Sequence, residues 1–216
     1  MTTRQRIMLG VPIALIVTML GVFRSFTSRF GYPLGYLCAF AVYWAGWCGA
    51  LPLAVLGPRE LAALFVAVRR GGRRRDASTI ALATWPIAFP LVFAFLPRIA
   101  QAGLRIVVWS VCLGVVTGVA EEVLWRGVYL RVFPRSLLLN TVYPSLAFGV
   151  WHAAPLSVLP SRYPGGAFAF VIYSTVLGLS YAIVARRTQS IRWIVISHCI
   201  HDALGLGGFA YAAWVM

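Results

Sequence analysis

Long apolar stretches alternate with short basic ones along the whole chain. Seven apolar stretches, at 7–23, 31–57, 77–97, 103–130, 136–159, 165–185 and 191–214, each meet the length of about 17–25 residues that a membrane-spanning helix needs. The second and fourth are longer than one span requires, and GLGG at 205–208 interrupts the last, which allows an eighth short or re-entrant piece. The predicted fold is therefore all-α, a polytopic transmembrane helical bundle of about seven to eight spans forming one membrane domain over residues 1–216. No internal repeat and no low-complexity linker divides it. The stretch 58–76, PRELAALFVAVRRGGRRRD, starts as an amphipathic turn or two and ends in a basic cluster, the pattern of a cytoplasmic connection with an interfacial helix.

Composition narrows the class further. The chain is 61% hydrophobic and only 11% charged over 216 residues, and its mean hydropathy is +0.84. A soluble domain of this size could not hide so much apolar surface, which makes it an integral membrane protein. The net charge of +14 would point to nucleic acid in a soluble protein. Here all 19 basic residues are Arg and most lie between apolar stretches, so topology explains them and no nucleic-acid partner is expected. With the N terminus inside, the inner segments hold Arg4, Arg6, Arg59, Arg69, Arg70, Arg73, Arg74, Arg75, Arg131, Arg135, Arg186, Arg187 and Arg192, and the outer ones only Arg24, Arg29, Arg98, Arg105 and Arg162. The positive-inside rule thus puts the N terminus in the cytoplasm, with a bacterial inner membrane as the expected location. Arg4 and Arg6 before an apolar run resemble a signal-peptide start, but no small-x-small cleavage site follows, so a retained first helix is expected. Cys38, Cys48, Cys112 and Cys199 form no C-x-x-C pair and read as small buried apolar residues.

All three histidines and three of the five acidic residues break the apolar pattern from within: Glu121 and Glu122 in VVTGVAEEVLWRG, His152 in SLAFGVWHAAP, and His198, His201 and Asp202 in IVISHCIHDALG. An ionisable group at bilayer depth costs from a few to more than about 10 kcal/mol unless paired or wetted, so these groups are expected to form one polar site. On a helix, Glu122 and Arg126 stand at i and i+4 in the order that favours pairing. Glu121 points about 100° away and has no partner at that spacing. A carboxylate left in an apolar pocket is a good proton acceptor near neutral pH and suits a general base. Phe148 lies one turn before His152 on the same face. His198 and Asp202 also share a face, and a carboxylate beside an imidazole fixes its tautomer and orientation. His201 points elsewhere and reads as a supporting or packing residue.

One free Glu, two His and an orienting Asp allow two chemistries. They could hold zinc through His152, His198 and Glu121, with bound water as nucleophile. Alternatively, Glu121 activates water directly while the imidazoles stabilise the oxyanion, with no cofactor. Spacing alone does not choose between them, and no H-E-x-x-H is present.

E-E-x-x-x-R (Glu121, Glu122, Arg126), F-x-x-x-H (Phe148, His152) and H-x-x-x-D (His198, Asp202), in this order on successive apolar helices, resemble the CPBP family of CAAX-type proteases and bacteriocin-processing or immunity proteins, also called the Abi family. The resemblance covers about residues 103–205, and the N-terminal helices add no motif. It implies an intramembrane endopeptidase in which Glu121 activates water, His152, His198 and Asp202 stabilise the tetrahedral intermediate and orient the site, and Glu122, Arg126 and Phe148 support it. The implied substrate is a membrane-associated protein or peptide cut near a terminus: a prenylated CAAX-like chain, a leader peptide or a C-terminal sorting signal. A non-enzymatic immunity or scaffold protein is the chief alternative, and a proton-coupled transporter using the same residues a weaker one.

Depth sets a condition on all of this. At ~1.5 Å per residue, Glu121 lies ~13 Å from the inner end of its span and His198 ~10 Å from its own. His152 would lie ~24 Å deep if its helix began at Ser136, but ~12 Å if it began near Pro144, a residue suited to a first helical turn. Residues 133–143 are therefore expected to run partly along the inner interface, without which the motifs should not meet. The Arg asymmetry also gives a direct test. Cysteines placed at 70–75 should react with a membrane-impermeant thiol reagent only from the cytoplasmic side, and labelling from outside would reverse the orientation.

Overall fold

The computed structural model describes residues 1–66, 77–161 and 165–207. The basic cluster Arg69–Arg75, Arg162 and residues 208–214 of the last apolar stretch lie outside the described residues. The fold is all-α, with no strand among the described residues. Helix α1 is Thr3–Phe30, opened by a reciprocal cap in which Gln5 N donates to Thr2 Oγ1 and Thr2 N donates to Gln5 Oε1. Helix α2 runs Leu34–Leu56 and widens into a π-helical stretch over Tyr43–Ala50. A short α3, Pro58–Ala63, follows at the bundle end.

The helical run Ala77–Val132 holds two of the expected spans. They meet at Gly103, whose φ of 70° and ψ of 163° break the run. We call its parts α4 (77–102) and α5 (104–132). The positive φ favours glycine, because a Cβ would meet the neighbouring carbonyl. Helix α6 (137–151) starts with a π-helical stretch, Leu138–Val142, and ends at Trp151. A single turn, α7 (Ala153–Leu156), comes after it. Pro155 has no N–H for the Trp151 carbonyl, and this ends the regular helix at His152. Helices α8 (Gly166–Thr188) and α9 (Arg192–Leu204) complete the bundle. Beyond α9 the chain turns at Leu206 and Gly207, both at positive φ, where the sequence carries its GLGG interruption.

Four helical runs are long and apolar enough to cross a membrane: Thr3–Phe30, Leu34–Leu56, Ala77–Val132 and Gly166–Thr188. The expected span 136–159 is broken at His152. The described part of the last one is a helix of 13 residues. These two shorter helices carry the histidine motifs.

The segments that the Arg count put on one side do gather at one end of the bundle. Gln5 Nε2 donates to Val132 O at 3.1 Å, Arg4 pairs with Glu60 at 3.4 Å, Arg131 donates to Ala63 O at 3.0 Å, and Ser190 Oγ donates to Leu64 O at 3.0 Å. Tyr129, at the same end of α5, donates to Met8 O.

Of the segment 133–143, expected to run partly along the inner interface, only 133–136 is non-helical, and α6 is helical from 137. The motifs meet: His198 of α9 lies beside Glu121 and Glu122 of α5, and Trp151, next to His152, reaches Glu121. Ser190 and Ile191, just before α9, are fully buried and anchored on Leu64 O at the bundle end.

The packing of α5 on α9 depends on Gly114 and Gly118, a G-x-x-x-G pair. A Cβ on Gly118 would lie 2.7 Å from Cys199 N, and one on Gly114 2.8 Å from Ala203 N. Both clashes are with backbone, which cannot rotate away, so only glycine lets these two helices touch at this depth. Gly118→Ala should therefore destabilise the protein by about 1–3 kcal/mol, the usual cost of overpacking. Gly10→Ala on α1, where a Cβ meets nothing within 4 Å, should be neutral. Thermal unfolding of both variants in detergent checks this, and equal melting temperatures would refute the close-packing account.

Candidate active site

Five helices supply the buried polar cluster. Helix α5 carries Glu121, Glu122, Trp125 and Arg126, and its turn widens into a π-helical stretch at Val123–Val128, directly after the two glutamates. Such stretches occur often at functional sites. Helix α6 brings Phe148, Trp151 and His152, helix α9 brings His198, His201 and Asp202, α2 brings Tyr43, and α8 brings Tyr173 and Tyr181.

The expected i, i+4 pair is present: Arg126 Nη1 donates to Glu122 Oε1 at 2.8 Å, with both residues buried. The guanidinium also lies 4.2 Å from the centroid of the Phe148 ring, which gives the phenylalanine of F-x-x-x-H a cation–π role. Gly178 of α8 makes room for it, since a Cβ there would be 3.0 Å from Arg126 Nη2. Glu122 does more than neutralise Arg126. The same Oε1 accepts from His198 Nδ1 at 2.7 Å, which ties α5 to α9. His198 thus has carboxylate oxygens on both sides of its ring: Glu122 at Nδ1, with Asp202 Oδ1 at 3.5 Å and Glu121 Oε2 at 3.8 Å from Nε2.

Two partners differ from the helix-face reading. Asp202 does share a face with His198, but its shorter contact is with His201 Nδ1, at 2.9 Å. Because a carboxylate only accepts, His201 Nδ1 carries the proton, and Tyr173 Oη lies within hydrogen-bond distance of His201 Nε2 at 2.9 Å. His201 therefore supports Asp202, as a residue behind the main cluster would. Glu121 has no partner on its own helix at i+4, yet it is not bare. Its Oε1 accepts from Tyr43 Oη at 3.1 Å and from Trp151 Nε1 at 3.3 Å. Tyr43 and Trp151 stack at 3.9 Å between centroids, and Trp125 Nε1 donates to Tyr43 Oη at 2.9 Å.

His152 closes α6. Its Nδ1 donates to Phe148 O at 2.8 Å, a direction fixed because the carbonyl can only accept. In the neutral ring, Nε2 is then left with a lone pair. A shallow apolar groove lined by Ala153, Leu156, Ser157, Ala167, Phe168 and Val171 opens beside this residue.

Among the described residues, one group offers ligand atoms close enough for a metal: His198, His201 and Asp202, all within 4.8 Å of one another. This is not the expected set of His152, His198 and Glu121. Its second histidine is His201, because the i, i+3, i+4 spacing on one helix gathers these three. The residues that the sequence reading missed are Tyr43, Trp125, Trp151 and Tyr173. Trp125 and Trp151 sit inside or beside motifs, so an indole N–H next to a buried carboxylate was a usable signal. Tyr43 and Tyr173 had none, since their role depends on which helices pack together.

The double role of Glu122 predicts a folding defect. Glu122→Gln leaves Arg126 charged and buried without a counter-ion and weakens the α5–α9 link. Breaking a buried pair in this way costs about 3–5 kcal/mol. Detergent-extracted Glu122→Gln should therefore show a markedly lower melting temperature or yield than the wild type. Unchanged values for both would refute the assignment.

Comparisons with known proteins bear on the same segment. No curated protein and no solved structure matches the chain. The family model described as Type II CAAX prenyl endopeptidase Rce1-like matches residues 103–204. That interval opens at the Gly103 break and closes at the last residue of α9, so it contains all three motifs and leaves out α1 and α2. The motif-bearing segment, just under half of the 216 residues, is thus similar to the Rce1-like type II CAAX prenyl endopeptidases.

Proposed function

We propose that this protein is an intramembrane endopeptidase that cuts a membrane-associated peptide or protein near its terminus, using water activated by Glu121 and no metal. One observation carries the reading: a buried carboxylate with one oxygen held by the protein and the other, Oε2, facing His198 Nε2 at 3.8 Å. A water at Oε2 would give its proton to the carboxylate as its oxygen attacks the scissile carbonyl carbon. The oxyanion that forms needs a donor. His198, with acceptors against both nitrogens, suits the form carrying N–H on both and offers Nε2–H, held in place by Glu122 and Asp202. Glu121 then passes its proton to the amide nitrogen as the C–N bond breaks, which restores the carboxylate.

His152 enters differently from the oxyanion donor that the family resemblance implies. With Nδ1–H given to Phe148 O, its neutral ring offers Nε2 as an acceptor, which suits orienting the attacking water. The apolar groove beside it could receive an apolar part of the substrate. We further propose that the N terminus faces the cytoplasm of a bacterial inner membrane, consistent with the Arg-rich segments gathering at one bundle end.

Metal-dependent hydrolysis is a second reading, favoured by the closeness of His198, His201 and Asp202. A zinc ion held there would supply a Lewis acid and an activated water. We favour the metal-free scheme because two of these groups are already engaged: His201 spans Tyr173 and Asp202, and His198 Nδ1 is taken by Glu122.

The test uses purified protein in lipid nanodiscs and three probes: a farnesylated CAAX peptide, a leader peptide and a peptide ending in a C-terminal sorting helix. Glu121→Gln should lose about 10²–10⁴-fold in rate on the probe that the wild type cleaves. His152→Ala and His198→Ala should each abolish measurable cleavage. His201→Ala should cost less than about tenfold, the worth of one supporting hydrogen bond. Activity should survive chelation. A tightly bound zinc whose removal ends activity would replace the metal-free scheme. Cleavage of none of the probes, or full activity of Glu121→Gln, would overturn the peptidase reading.

A further inference from the structure

The part of the chain that the family match leaves out reaches the catalytic carboxylate proposed above through Tyr43. We infer that Tyr43, on α2, is a positioning residue for Glu121: it commits Oε1 to the protein and leaves Oε2 as the atom that meets water. The inference rests on the proposed role of Glu121 as base.

The direction of each hydrogen bond is fixed by chemistry. An indole N–H can only donate, so Trp125 Nε1 gives its proton to Tyr43 Oη at 2.9 Å. The phenol accepts there and has one proton of its own, which goes to the acceptor-only carboxylate, Glu121 Oε1, at 3.1 Å. Trp151 Nε1 adds a second donor to the same oxygen at 3.3 Å. Both of these donors are held by one stack, the Tyr43 and Trp151 rings lying 3.9 Å apart and 20° from parallel. Tyr43 is fully buried and opens the π-helical stretch of α2. All three donors are fully buried or nearly so; Tyr43 and Trp151 converge on one oxygen of Glu121, and Trp125 acts through the phenol. The other oxygen is the one that faces His198.

An aromatic residue that merely filled space at this position would need its ring and not its hydroxyl. The hydroxyl is what carries the Trp125–Tyr43–Glu121 chain, and a carboxylate free to rotate would present either oxygen to the water. Helix α2 is then more than a scaffold: it completes the site that α5, α6 and α9 begin.

The experiment removes only the hydroxyl. Tyr43→Phe keeps the stack on Trp151 and should lower kcat by about 10- to 100-fold at unchanged KM, the loss expected for a hydrogen bond to a charged group. Trp125→Phe should lower kcat a few-fold. The double variant Tyr43→Phe/Trp125→Phe should be no slower than Tyr43→Phe alone, because Trp125 acts through the phenol. Independent packing losses would multiply instead, and that outcome overturns the inference. An infrared arm reads the bond without turnover. The carboxyl band lost in Glu121→Gln should move in Tyr43→Phe and, by less, in Trp125→Phe, which serves if Tyr43→Phe does not fold. Wild-type kcat in Tyr43→Phe, with Glu121→Gln inactive, would overturn the role of Tyr43 and leave the peptidase reading intact. If the wild type cleaves no probe, the peptidase reading falls and the infrared arm decides alone: a shifted band upholds the positioning of Glu121 by Tyr43, and an unmoved band overturns it.

Discussion

Everything at the centre of this bundle depends on how Glu122 is neutralised. A lone carboxylate in this interior would be too costly to ionise, and a lone guanidinium equally so. Arg126 solves half of the problem from one turn along the same helix, at 2.8 Å. His198 adds a second bond from α9, at 2.7 Å on the same oxygen. That second bond requires two helix backbones to approach within the reach of a glutamate, and side chains larger than hydrogen at 114 and 118 would hold them apart. The glycine pair and the buried ion pair thus act together, one setting the distance that the other uses.

From that crossing the rest of the site follows. Holding His198 by Nδ1 turns Nε2 toward Glu121 and Asp202, while Phe148 closes over Arg126 and joins α6 to the same cluster. His152 sits where α6 stops, because Pro155 has no N–H to donate to the Trp151 carbonyl, and its Nδ1 is taken by the carbonyl one turn back. Each reactive group therefore has one polar atom committed to the protein and one turned inward. Such a division lets a site hold its geometry in a medium where water cannot do so, and electrostatic preorganisation of this kind is a major part of catalysis.

The two shorter helices bear the histidines. Helices α1, α2, α5 and α8 are long and apolar on the outside, with large side chains such as Ile13, Val17, Val115 and Ile172 exposed on the surface that would face lipid. Packed among them, α6 and α9 can be shorter, since neither has to cover the full apolar thickness alone. A polar cluster at the level of a helix end also has backbone groups available. His152 uses one, the Phe148 carbonyl, to set its tautomer.

Much of this was legible in the sequence. The apolar runs marked the helices, including the division of 77–130 into two, although the chain breaks at Gly103 and stays helical over 98–102. The i, i+4 rule identified Glu122 with Arg126 and singled out Glu121 as having no partner on its own helix. Periodicity reports the faces of one helix at a time, and these features are local to one helix. What crosses between helices was decided only by tertiary structure: Glu122 reaching His198, Asp202 turning to His201, and Tyr43 and Trp151 sharing one oxygen of Glu121. Those partners depend on where each helix is anchored and on how closely two backbones can approach. The Ser190–Ile191 anchor on Leu64 O and a glycine pair on α5 set both, and neither sets a period along the chain that would announce its partner.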